Sequence, residues 1–200
     1  MQEYYYGGQY KGQTKVSFYV EDGVERIVIR WLSQNKHTKL SFVGPNGQSS
    51  IGFSTTKDST LFEGGYLHRT TIDEPEAGKW SVQAKSPKEQ YILNVTFQSP
   101  VNEHLMMNLE KEDNIQLSFS GNEHYVMQDN ITATVAVEFL DVKNKIIKKL
   151  SITKSRDTNT LTIPNLGAGI YNVTINIKGE TKNGQIYNRT ILDSIYLGNQ

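Results

Sequence analysis

Apolar and polar residues alternate singly along most of this chain. Val16, Phe18 and Val20 interleave with Lys15, Ser17 and Tyr19, and Ala133, Val135, Val137 and Phe139 interleave with Thr132, Thr134, Ala136 and Glu138. Period two sends successive side chains to opposite faces of a strand, and the i, i+3, i+4, i+7 spacing of a helix is nearly missing, so the pattern predicts an all-β chain. In the first half the alternation places strands at 14–20, 25–32, 39–43, 67–72, 79–84 and 91–97. In the second it places them at 115–120, 131–140, 145–153, 160–163, 169–178 and 191–197, with a hairpin joining 173–179 to 185–190. Turn chemistry separates them: Asp22-Gly23, Pro45-Asn46-Gly47, Gly64-Gly65, Ala77-Gly78, Asp141 to Asn144 and Asn183-Gly184 supply fixed φ or φ > 0. Several short strands per half at this turn spacing predict two tandem antiparallel β-sandwiches, immunoglobulin-like or jelly-roll-like.

The polar stretch 98–103, with Pro100 unable to join a central strand, sets the expected domains at 1–99 and 104–200. Residues 105–109 are too few for an independent helix and read as a first strand or an interdomain contact. The start, from Met1 to Gln13, has neither a basic region followed by an apolar one nor a run of about 18 apolar residues. It reads as the beginning of a piece cut from a longer protein, with no signal peptide, anchor or membrane span in these residues.

Charge excludes one class of partner. Lys and Arg number 21 and Asp and Glu 21, and each half is within one charge of neutral, so there is no basic excess for nucleic acid. The absence of cysteine removes disulfides, thiolate metal sites and a cysteine nucleophile. His37, His68, His104 and His124 sit in separate segments without metal-ligand spacing and read as structural or surface residues. Glu21-Asp22, Asp73 to Glu76 and Glu110 to Asp113 lack the alternation of a calcium loop and read as solvated turns. No G-x-S-x-G elbow, phosphate loop or dinucleotide fingerprint occurs. The expectation is therefore no catalytic residue, no cofactor-binding residue and no metal ligand.

Tyr4, Tyr5, Tyr6 and Tyr10 form an aromatic leader that either packs on a neighbouring domain or stacks on sugar rings. Trp31 and Trp80 read as core, and the N-x-T triplets at Asn94, Asn130, Asn172 and Asn188 as strand faces rather than glycan acceptors.

Two segments carry a family resemblance. Lys39 to Gly47 reads KLSFVGPNG, a strand ending in a P-N-G turn, and about 30 residues on Ile72 to Val82 reads IDEPEAGKWSV. This pairing resembles the β-sandwich found beyond the von Willebrand factor type A domain of many secreted and surface proteins, and is similar to pre-peptidase C-terminal domains. In the second half, Gly169, Tyr171 and Val173 with the hairpin at Asn183-Gly184 resemble the G-x-Y-x-V strand of immunoglobulin-like modules. The adhesion-site signature D-x-S-x-S of the type A domain is absent, since Asp58-Ser59-Thr60 and Asp193-Ser194-Ile195 do not match it. The resemblance implies an extracellular or cell-surface module, the C-terminal portion of a larger bacterial protein, acting as a spacer or interaction scaffold whose partner is another protein or a preceding domain; the missing catalytic signatures add that it is non-enzymatic. A carbohydrate-binding module of a secreted hydrolase is the alternative, and a stand-alone enzyme using junction residues such as Glu103 and His104 is a third reading.

Overall fold

A computed structural model describes residues 2–47, 52–58, 64–101, 104–110, 114–120, 122–127, 130–140, 146–154 and 160–197. The elements are β1 (Gln2–Val20), β2 (Arg26–Ser33), β3 (Lys39–Val43), β4 (Ser54–Asp58), β5 (Gly65–Asp73), β6 (Gly78–Gln98), β7 (His104–Glu110), β8 (Asn114–Ser120), β9 (Thr132–Leu140), β10 (Ile146–Lys154), β11 (Thr160–Pro164), β12 (Gly169–Glu180) and β13 (Ile186–Leu197). The chain is all-β: every extended element is antiparallel to its neighbours, and no α-helix occurs among the described residues. It divides into two compact units, one of residues 1–100 with 183–188, the other of 101–182 with 189–200.

The first unit is one six-stranded sheet folded on itself. The order is β1-β6-β2-β5-β4, with β3 also on β6. β1 and β6 pair from Gln2 opposite Phe97 to Val20 opposite Gly78, with one register shift between Tyr10 and Gly12. On one side of that shift β6 continues onto β2; on the other it continues onto β3. Two long strands thus pass from one layer to the other at an irregularity, the usual way a sandwich corner is turned. The inward positions of both layers meet: Phe18 packs edge-on against Phe97, centroids 6.2 Å apart, and Trp31, Phe42, Trp80, Val82, Leu93 and Val95 fill the space between.

The two segments that carry the resemblance lie against each other. A Cβ on Gly78, whose φ is 137°, would fall 2.8 Å from Pro45 Cγ, and Gly44 approaches the Trp80 ring as closely as a residue without a side chain permits. The P-N-G turn and the A-G-K-W turn therefore form one packed corner.

Several elements differ from the sequence reading. The tyrosine leader is the first half of β1, hydrogen-bonded to β6. Residues 79–84 and 91–97 belong to the single strand β6, and β4 is a polar strand the alternation does not reveal. The chain 186–197 runs as one strand rather than two, whereas residues 104–110 form a strand as one of the two readings of that stretch expected. Glu21, expected in a solvated turn, is fully buried and accepts a hydrogen bond from Ser99 Oγ. The turn expected at Asp141 to Asn144 lies outside the described residues, as do residues 111–113 of the acidic run, Ser59-Thr60 and Glu103.

The second unit has a four-stranded sheet, β10-β9-β12-β13, and a three-stranded sheet, β11-β8-β7. Ile115, Leu117, Leu161, Ile163, Val135, Val137, Val173 and Ile175 are among its buried apolar positions, at period two on each strand. At the start of β12 the Tyr171 hydroxyl donates to the Gly167 carbonyl at 2.8 Å and accepts from the Leu166 N–H at 2.8 Å. The same hydroxyl also lies 3.1 Å from Asn165 Oδ1, so it ties the start of β12 to the loop before it.

Candidate functional site

The densest polar chemistry of the first unit sits where β1 and β6 change layers. β6 carries Glu89 at this corner because the register shift turns its side chain inward, and only 4% of the residue is exposed. A buried carboxylate must be matched by donors. Trp31 Nε1 on β2 donates to Glu89 Oε1 at 2.8 Å, Thr38 Oγ1 donates to Oε2, and the Tyr10 hydroxyl lies at 3.4 Å from the same oxygen. Burial first, then the Glu89 charge, pushes the Tyr10 hydroxyl well above its ordinary pKa. Aromatic rings wall the group: Trp31 stacks on Tyr91, and Tyr10 meets both edge-on.

His68 on β5, 2% exposed, belongs to the same neighbourhood. Its Nε2 faces the Asn35 carbonyl at 3.1 Å and must carry the proton, which makes Nδ1 the acceptor of the Thr55 hydroxyl at 2.9 Å. Burial is the main influence on this imidazole and holds its pKa below the usual histidine range. Asn35 Nδ2 also donates to Ser86 Oγ at 2.9 Å. Above the corner opens a cleft of about 480 Å³ whose lining includes Gln9, Gln34, Asn35, Ser86, Lys88 and Gln90 beside Glu89. Four carboxamides, a hydroxyl and one ammonium suit a neutral polar ligand or peptide backbone; the carboxylate and both imidazole nitrogens are already engaged by protein groups.

The remaining candidates are dispersed. His37 and His124 are exposed in turns, and the side chain of His104 lies outside the described residues. Among the described residues no three His, Cys, Asp or Glu converge as a metal site. Asp73 pairs with Arg26 of β2 at 2.5 Å and Glu76 accepts from Asn46 Nδ2 at 2.7 Å, so two carboxylates of the acidic run 73–76 are engaged by neighbouring side chains. Trp31 and Trp80 are buried, and Trp80 Nε1 donates to the Glu76 carbonyl at 2.8 Å. Of the leader tyrosines Tyr4, Tyr5, Tyr6 and Tyr10, only Tyr6 is well exposed, at 48%, and it leans on Tyr91. Among the N-x-T asparagines, Asn94, Asn172 and Asn188 lie on strands and Asn130 just before β9; Asn94 is buried. Glu89 was invisible to sequence reading: it falls in a Lys-Glu-Gln stretch that reads as loop, and its partners lie 51 or more positions away.

No family model and no curated protein matches the chain. Among solved structures it is similar to the Bacillus licheniformis lipase BlEst2 in its propeptide form, with 27% identity and a TM-score of 0.78 over 99% of this chain and 42% of that one. The chain therefore spans less than half the length of that lipase structure. A β-glucuronidase from Ruminococcus gnavus aligns at 12% identity and a TM-score of 0.26, over 94% of this chain and 36% of that one. One from Lactobacillus rhamnosus aligns at 12% and 0.26, over 94% and 36%. Scores this low carry nothing about fold or function. No helix among the described residues is long and apolar enough to cross a membrane.

Proposed function

We propose that this chain is a non-catalytic module of a secreted lipase-type precursor, a pair of β units that accompanies a hydrolase domain and holds or protects it before activation. The observation that carries this reading is the similarity to the lipase in propeptide form, which runs through 99% of this chain yet takes up only 42% of that structure. Two features support the non-catalytic part: the sequence has no G-x-S-x-G elbow, and the buried Glu89 and His68 are saturated by protein partners. The amide-lined cleft over Glu89 suits an extended peptide segment of the accompanying enzyme.

A second reading keeps the chain as a spacer or adhesion scaffold of a type A domain protein. The packed corner between Pro45 and Gly78 favours it, because it joins the two motifs on which that resemblance rests.

An antibody to this chain, used on native product from the source culture, separates the two. The lipase reading expects a product above 22.7 kDa, or a tight complex, in which a fluorophosphonate labels a serine hydrolase after the β units are cleaved away. A precursor that never takes the label, before or after cleavage, overturns it.

A further inference from the structure

The outward face of the first unit's larger layer holds a polar row set by the sheet register: Tyr5 of β1, Asn94 of β6, Arg30 of β2, Arg69 of β5 and Ser54 of β4 lie directly opposite one another in turn. Arg30 and Arg69 are neighbours in that row, and like charges directly opposite on adjacent strands destabilise a sheet. The ion pairs among the described residues are Arg26 with Asp73 and Lys149 with Glu138, so neither arginine of the row has a carboxylate in contact. Glu3 lies near enough to act on Arg30, but it accepts the Tyr5 hydroxyl.

Arg30 is already fixed for a ligand. Its Nη1 donates to Asn94 Oδ1 and to Thr96 Oγ1, both at 3.1 Å, which sets the guanidinium plane and leaves its other N–H groups unspent. Asn94, 6% exposed, has an Nδ2 with no acceptor, and the Arg69 guanidinium has no hydrogen-bond partner among the described residues. Two forked donors and an unmet amide beside one another call for an oxyanion. One flank of the row is apolar: half-buried Ile92 of β6 and Leu67 of β5 lie on either side of the buried Leu32 of β2, while on the other flank Val28 lies between Thr96 and Thr71. Apolar side chains around central Arg and Tyr are the make-up of a protein interface rather than of a nucleic-acid groove, which would show a longer cationic stripe and exposed rings for stacking.

We propose that this face docks a partner protein that presents an aspartate or glutamate carboxylate to Arg30 and Arg69, with apolar side chains of the partner on Leu67 and Ile92. The inference does not rest on the lipase-precursor reading. The test is a titration of the full chain with a blocked alanine–glutamate peptide, and separately with inorganic phosphate, read on the arginine Nε–Hε resonances. The expected result is a saturable shift at Arg30 and Arg69 with the peptide. In R69Q, whose side chain is exposed and whose melting temperature should match the parent, the affinity falls about tenfold or more. K85Q, on the outward face of the β3 side, leaves the affinity unchanged. An R69Q protein that binds as well as the parent, a K85Q protein that loses as much, or a shift seen with phosphate and not with the peptide overturns the proposal.

Discussion

Trp31 and Tyr91 stack with their ring centroids 4.0 Å apart and their planes 4° from parallel, while the Trp31 indole N–H ends on Glu89. The pair shows how a polar group is kept inside an aromatic core: its apolar walls exclude water, and its oxygens are met by donors from β1, β2 and the loop before β3. Removing the carboxylate strands those donors. E89A should lower the stability of the first unit by about 3 kcal/mol or more, whereas E89Q, which keeps an acceptor for Trp31, should cost about 1–2 kcal/mol. Urea unfolding followed by tryptophan fluorescence measures both; equal losses for the two variants would show that charge and not hydrogen bonding dominates there.

His68 makes the same region sensitive to acid. Its folded pKa lies below the unfolded value, so the unfolded chain takes up a proton first as pH falls. The stability this histidine contributes is complete above about pH 6.5 and declines below it, until the pH passes the folded pKa. Melting temperatures taken between pH 7.5 and 5 should fall more steeply for the parent than for H68N. Parallel curves would mean that another group sets the acid response.

Much of this architecture was legible in the alternation, and the failures have physical causes. β4 is a polar edge strand, so no apolar face marks it. The first half of β1 hides because Tyr4, Tyr5 and Tyr6 place aromatic residues on both faces and Gly7 and Gly8 place nothing on either. Ser86, Pro87 and Lys88 read as a loop, since Pro cannot donate to a ladder; yet Pro87 stands within β6 at the register shift, where Gly12 pairs with Ser86 and Tyr10 with Glu89 and no N–H is asked of it. The row across Arg30 and Arg69 was equally hidden, because it depends on register between strands far apart in sequence.

Tyr171 was read from its G-x-Y-x-V setting, and the structure gives that setting a purpose. Y171F removes the donor to Gly167 and the acceptor of Leu166 while keeping the ring, and should cost about 1.5–3 kcal/mol. Denaturant unfolding of the second unit, followed by its amide resonances, is the measurement; a change within about 0.5 kcal/mol would mean that water replaces both bonds.

Gly169, two residues earlier, has a φ of 153°, and a Cβ there would drive into the carbonyl oxygen of Leu140 on β9. Backbone cannot yield as a flexible side chain can, so G169A should cost more than about 4 kcal/mol and abolish the β9–β12 pairing. Retained amide protection along β12 in G169A would show that the sheet has another way to accommodate the methyl group.

The pairing of β1 with β6 also governs the order of events during synthesis. Gln2 finds its partner only at Phe97, and even at the other end of the ribbon Val20 pairs with Gly78, 58 positions on. The loop-closure entropy must be met before the longest ladder can form, which places this unit among slow, high-contact-order folders. A ribosome adding roughly 5–20 residues per second therefore holds an open, tyrosine-rich chain for several seconds before the closing strand emerges. During that interval the polypeptide is unlocked and exposed, and the arrival of β6 fastens both layers in one act.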